Sequence, residues 1–321
     1  MAQGFINRVV PASAFALGVV RAIVHGTFLI SVLVTSFSAL GALPATILRP
    51  TGAMKLLPWS FYDQLLTPTG ITVLQIAMVL SLLAGAAGLL TSVSTKTSLL
   101  LVVFYQGLLR SFGHFNHDEM LGVYCLAVLA FTPCGDAFSI DAWLRRTTSF
   151  LSAFAPLREL ISRKGAKTQR QARPLWVYAY PILLTQLLMA WVYFSSALIK
   201  LRVAGFNYLS ADNLPSLSIL HSLDNLHDTH FRLAFWLPQV RSYLPLAVGL
   251  VLVWELLFPL AIFWKRTRWL ILGVGVVFHL ATLFFMNIFF PHQLALYLIF
   301  INWDHVVQRH TPPPQNASVS D

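Results

Sequence analysis

Cysteine and charge are both scarce in this chain. Only Cys125 and Cys134 occur among 321 residues, nine positions apart on what reads as one helix. That spacing is too long for an intrahelical bridge, and two cysteines exclude a disulfide framework and a thiolate metal site. Charged residues make up 11% of the chain and hydrophobic residues 57%, which excludes the profile of an ordinary soluble enzyme. Acids are the rarer sign, with 12 Asp and Glu against 22 Lys and Arg and a formal charge of +10. No nucleic-acid motif accompanies the surplus, and its basic residues gather between apolar runs, so no nucleic-acid partner is expected. No segment large enough to fold alone in water remains.

What the chain has instead is apolar runs, at roughly 14–42, 71–90, 97–111, 118–133, 176–199, 244–264, 268–286 and 288–303. They predict an all-α, polytopic membrane helix bundle of about eight transmembrane segments, spanning 14–305 and held in a lipid bilayer. The third, fourth and eighth runs fall short of the ~20 residues of a straight span, so tilted, kinked or buried segments are expected there. The stretch 145–173 carries Arg145, Arg146, Arg158, Arg163, Lys164, Lys167, Arg170 and Arg173 against the single acid Glu159, which marks it as cytoplasmic. Lys265, Arg266 and Arg268 mark a second cytoplasmic loop. Alternating from these anchors places both termini on the cytoplasmic side of the inner membrane and the connections 43–70, 111–117 and 200–243 on the far side. Arg21 and His25 interrupt the first run, so it reads as a retained helix after a short N-terminus, 1–13, and not as a signal peptide. The tail 306–321, with its Pro312-Pro313-Pro314, is expected to be disordered.

The polar residues inside or beside these runs are the candidates for chemistry. Lys200 closes the run from Trp191, where partial shielding from water disfavours an ammonium and can make the amine a base. The alternative is a lysine that snorkels to the interface. At the junction of two runs stands Gly113-His114-Phe115-Asn116-His117-Asp118-Glu119. Asn116 as a cap and Asp118 and Glu119 in a first turn account for three of these residues, and His117 and His114 remain for a site. In the 200–243 connection, His227 and His230 with Asp224 and Asp228 could ligate a divalent ion or line a solvated loop; the spacing lacks a full zinc signature, and no metal ligand is assigned. Glu255 and His279 lie within runs, where an isolated ionisable group is costly, so each should face the bundle interior. Pairing with Arg21, with His25 or with each other would make them structural, and Asn116, His117 and Lys200 are expected to line one cavity in the outer half of the bundle, within reach of Glu255 or His279.

Several of these strings resemble a known family. Tyr193-Phe194-Ser195-Ser196-Ala197-Leu198-Ile199-Lys200-Leu201 resembles the segment of vitamin K-dependent γ-glutamyl carboxylases that bears their catalytic lysine, and Asn116-His117 resembles their active-site Asn-His pair. Arg21, the phrase Ser111-Phe112-Gly113-His114-Phe115-Asn116-His117-Asp118, the run Thr132 to Asp141, the segment Trp254 to Pro259 and His279 are similar, in order, to the wider horizontally transferred transmembrane domain family. The resemblance covers about residues 15–303. It implies Lys200 as base toward a reduced quinone, His117 and Asn116 as groups that hydrogen-bond the reacting oxygen, and His114, Asp118, Glu255 and His279 as substrate-binding residues. Arg202 and Phe206 depart from the carboxylase pattern after the lysine, and the extramembrane domain that grips a glutamyl peptide has no counterpart in these residues. Protein γ-carboxylation by this chain alone is not expected.

Three classes of function follow. One is a membrane enzyme acting on a lipophilic quinone or isoprenoid by lysine base catalysis. Another is an integral-membrane terpene cyclase, with magnesium and a prenyl diphosphate held by acids such as Asp118, Glu119, Asp224 and Asp228. The last is a non-catalytic membrane protein. The predicted far-side position of His117, Lys200 and the 224–230 loop favours the first over the second, because prenyl diphosphates are normally supplied from the cytoplasm.

Overall fold

A computed structural model describes residues 9–10, 12–35, 37–113, 117–153, 173–224 and 231–310. It contains fourteen α-helices, with no strand among the described residues. The ten longest are α1 (Ala14–Val34), α2 (Pro68–Ala87), α3 (Thr91–Ser111), α4 (His117–Ala130), α5 (Ile140–Ala153), α6 (Trp176–Ala204), α7 (Asn213–Asp224), α8 (Leu244–Leu257), α9 (Lys265–Met286) and α10 (Trp303–His310). Five helical stretches are long and apolar enough to cross a membrane: Ala14–Val34, Pro68–Ala87, Trp176–Leu209, Leu233–Leu257 and Lys265–Met286. A shorter apolar helix covers Glu119–Ala130.

These helices are apolar on two sides, which is what lipid requires and water forbids. On α8, Leu244, Val248, Leu252 and Glu255 are buried, while Leu246, Leu250, Val253 and Leu257 point outward. Both sets recur at helical spacing, and a helix hydrophobic all round belongs in a core or in a bilayer. The outward stripe has no cover among the described residues, and with five such candidate spans the protein reads as a multi-pass helical membrane protein.

Three of the predicted runs take a different form. The run 97–111 is part of a helix that begins at Thr91. Its polar first turns are usable because Ser94, Thr95 and Ser98 face inward, and the hydroxyls of Thr95 and Ser98 bond back to the carbonyls of Thr91 and Ser94. The run 244–264 is broken at Phe258-Pro259, after which only the short helix Leu260–Phe263 follows. The run 288–303 is not one span. Pro291, which has no N–H to donate, opens a short helix Pro291–Leu296, a 3₁₀ turn takes Tyr297–Phe300, and Asn302 accepts from the His305 N–H at the start of α10. Helix α10 also carries ordered structure into the 306–321 stretch, and residues 311–321 lie outside the described residues. The connection 200–243 is likewise built, with the last turn of α6, a 3₁₀ turn Gly205–Leu209, α7 and a 3₁₀ segment Leu233–Tyr243. Cys134 is beyond the end of α4, so the two cysteines do not share a helix; both are free and buried.

The chain divides into two compact units, one made of 1–116, 125–183 and 301–321 and the other of 117–124 and 184–300. In the first, α1 packs on α2 and α2 on α3. Gly85 is where α1 and α2 meet most closely, since a Cβ there would lie 2.3 Å from the His25 ring. Arg21, fully buried on α1, donates to the carbonyls of Cys134, Phe138 and Ala86. It ties the loop after α4 to the helix pair, and its charge is met by carbonyl dipoles. In the second unit, α9 lies against α7, α8 and Leu260–Phe263.

Candidate functional site

Helix α6 presents Tyr193, Ser196, Ala197 and Lys200 at i, i+3, i+4 and i+7, the spacing of a single face. Tyr193 and Ala197 are buried. Across from this face, α8 supplies Glu255. Lys200 Nζ donates to Glu255 Oε1 at 2.5 Å, and Ser196 Oγ donates to the same oxygen at 3.4 Å. The ammonium also sits over the Tyr208 ring, 5.7 Å from its centroid. Lys200 is therefore not the end of its helix, which continues to Ala204.

The pair is lopsided in exposure. The Glu255 side chain is 3% exposed and that of Lys200 22%, so the lysine side chain is partly open to the outside while the carboxylate is enclosed. Glu255 Oε2 has no hydrogen-bond partner among the described residues. A buried charged oxygen without a donor is expensive, and it marks a place where a ligand hydroxyl would be welcome.

Two turns earlier on the same face, Tyr193 organises a second polar centre. Its hydroxyl lies 2.6 Å from His279 Nε2 of α9 and 2.8 Å from the Tyr297 hydroxyl. His279 Nδ1 is buried without a partner among the described residues. Around this chain stands an aromatic wall of Trp254, Phe258, Phe278 and Phe290. Trp254 is fixed in turn by donating to the Ile271 carbonyl at 2.8 Å. Gly275 lets Tyr297 approach α9, since a Cβ there would fall 2.2 Å from its hydroxyl.

Of the partners considered for Glu255 and His279, neither Arg21 nor His25 is used: Glu255 takes Lys200, which was expected within reach of it or of His279, and His279 takes Tyr193. The reason is local. Both terminal nitrogens of Arg21 donate to backbone carbonyls, and His25 Nδ1 engages the Arg21 carbonyl one turn below it. Of the other site candidates, His114 and Asn116 lie outside the described residues, as do His227, Asp228 and His230. His117 and Asp118 begin α4, as expected for a helix starting after Asn116, but their side chains are outside the described residues, as is that of Asp224. Glu119 is buried in the first turn of α4. Among the described residues no group of three His, Cys, Asp or Glu could hold a metal ion.

Sequence reasoning quoted Tyr193 and Ser196 without giving them a role. Their seven- and four-residue offsets from Lys200 were the available signal. Tyr297 offered none, since its contact with Tyr193 spans 104 residues of sequence. Comparison with family models, with curated proteins and with solved structures returned no match.

Proposed function

We propose that this chain is an integral-membrane enzyme that uses Lys200 as a base toward a lipophilic quinone or related isoprenoid substrate, in the manner of the carboxylase-like membrane proteins it resembles. The observation that carries the reading is the Lys200–Glu255 contact, with one partner reachable and the other enclosed. In apolar surroundings an ion pair and a neutral amine–acid pair are related by moving one proton across a short hydrogen bond. Glu255 can hold that proton and leave Lys200 with a free electron pair. Lys200 then takes the proton of a substrate O–H, the O–H electron pair stays on oxygen, and the oxyanion forms beside the new ammonium. His279, whose Nδ1 has no partner among the described residues, would hydrogen-bond a polar atom of the same substrate.

The test is untargeted lipid analysis of membranes with and without the expressed protein, followed by the Lys200→Ala and Lys200→Arg variants. Both should abolish turnover with insertion intact, because arginine keeps the charge but supplies no neutral amine. His117→Ala should slow it roughly 10²–10⁴-fold as a polarising group. An active Lys200→Arg protein would leave the contact as a structural ion pair. A cyclised hydrocarbon as the product would assign a terpene cyclase instead.

A further inference from the structure

The first unit holds an open cleft of about 420 Å³, far in sequence from Lys200 and Glu255 and built from the start of α3, the loop after α4 and the residues before α6. Its cations are Lys96, Arg145 and Arg173, and its hydroxyls are Thr91, Ser92 and Thr132. Two carboxylates also line it, but both are occupied. Asp141 accepts from the Leu90 N–H, the Thr91 N–H and the Thr91 hydroxyl, and Asp136 accepts from the Tyr178 hydroxyl and lies 3.4 Å from Arg173. Behind the loop sits the buried Arg21 charge, bonded only to carbonyls. Positive charge is left over at this spot.

Position and lining together say what would use it. The span Pro68–Ala87 ends just before Thr91, the apolar helix Glu119–Ala130 ends beside it, and Arg173 precedes the span starting at Trp176. The cleft is therefore at the common end of three apolar helices, at headgroup level. Its lip is greasy. Phe131, which lines it, is 77% exposed beside the lining cations, the pairing of apolar and basic residues that settles into a membrane interface.

We propose that this cleft binds the phosphate headgroup of an anionic phospholipid, with Lys96 and Arg173 meeting the phosphate and Phe131 flanking the acyl chains. The probe is phosphatidylglycerol, added to the delipidated full chain in micelles and read by native mass spectrometry, with phosphatidylcholine and free glycerol 3-phosphate as the other arms. Phosphatidylglycerol should be retained in preference to phosphatidylcholine. Lys96→Gln with Arg173→Gln should weaken it by roughly fivefold for each charge removed. Lys55→Gln with Arg202→Gln, which removes the same charge elsewhere, should leave it unchanged. Should the cleft double variant lose its fold by thermal unfolding, Lys96→Gln alone decides the matter, because that side chain is exposed and its hydrogen bond is to the neighbouring Ser92 hydroxyl at 3.4 Å. Equal weakening in both double variants, equal retention of phosphatidylcholine, or displacement by glycerol 3-phosphate at the same concentration would each overturn the assignment.

Discussion

Replacing Glu255 by leucine would strand the Lys200 ammonium beside an apolar wall. Breaking a buried pair from one side costs about 3–5 kcal/mol, whereas replacing both partners by apolar residues of like volume is close to neutral. The single Glu255→Leu variant should therefore unfold much earlier in denaturant than the Lys200→Met, Glu255→Leu double. Additive losses in that cycle would mean the two side chains do not depend on each other. Both residues were visible in the sequence as polar interruptions of apolar runs. That Lys200 would lie within reach of Glu255 or His279 was legible too; which of the two it would meet was not, because a run of apolar letters on α8 does not say which face turns toward α6. Tyr193 is a similar case, and Tyr193→Phe should cost about 1–3 kcal/mol by leaving His279 Nε2 and the Tyr297 hydroxyl without their shared partner.

Helix α3 begins where its sequence looks least like a membrane helix. Thr91-Ser92-Val93-Ser94-Thr95-Lys96 reads as a polar linker, and it is helical because Asp141, 50 residues away, caps it. Burial works to raise the Asp141 carboxyl. Hydrogen bonds from the Thr91 N–H and hydroxyl and the Leu90 N–H, with the charge of Arg145, outweigh it and hold the group below the usual carboxylate range. A depressed folded-state value stabilises the protein above the unfolded value, ~3.9, and the gain is lost as pH falls through the folded one. Asp141→Ala should lower stability by about 1–2 kcal/mol at pH 7, and its melting curve should converge on the wild type as acid is added below pH ~4. A gap that persists at low pH would assign the loss to packing. Such a long-range cap explains why α3's start was not legible, whereas the break-up of 288–303 follows from Pro291 and the Asn302 cap nearby.

Five spans and the broken segments around them leave the orientation to be measured. The basic bias of 145–173 predicts that this stretch and 200–243 face opposite sides of the membrane. Single cysteines placed in each, probed with a membrane-impermeant maleimide from either side of sealed vesicles, should label in opposite arms. Labelling in the same arm would reverse the topology and reopen the prenyl-diphosphate reading. The apolar character of the bundle was written plainly in composition, since a chain this poor in charge can satisfy its surface only in lipid. How many runs cross was harder to read, because length and hydropathy do not reveal where Pro259 and Pro291 interrupt a helix.

Cys125 and Cys134 are 0% and 1% exposed, and the sequence has no other thiol. The wild-type protein is thus its own blank. A maleimide, a spin label or a fluorophore added to the folded chain has nothing to react with, so each introduced cysteine reports on one known position without prior removal of native ones. A native thiol that becomes reactive then signals that the end of α4 and the loop held by Arg21 have opened, and the two residues serve as an internal gauge of folding in every such experiment.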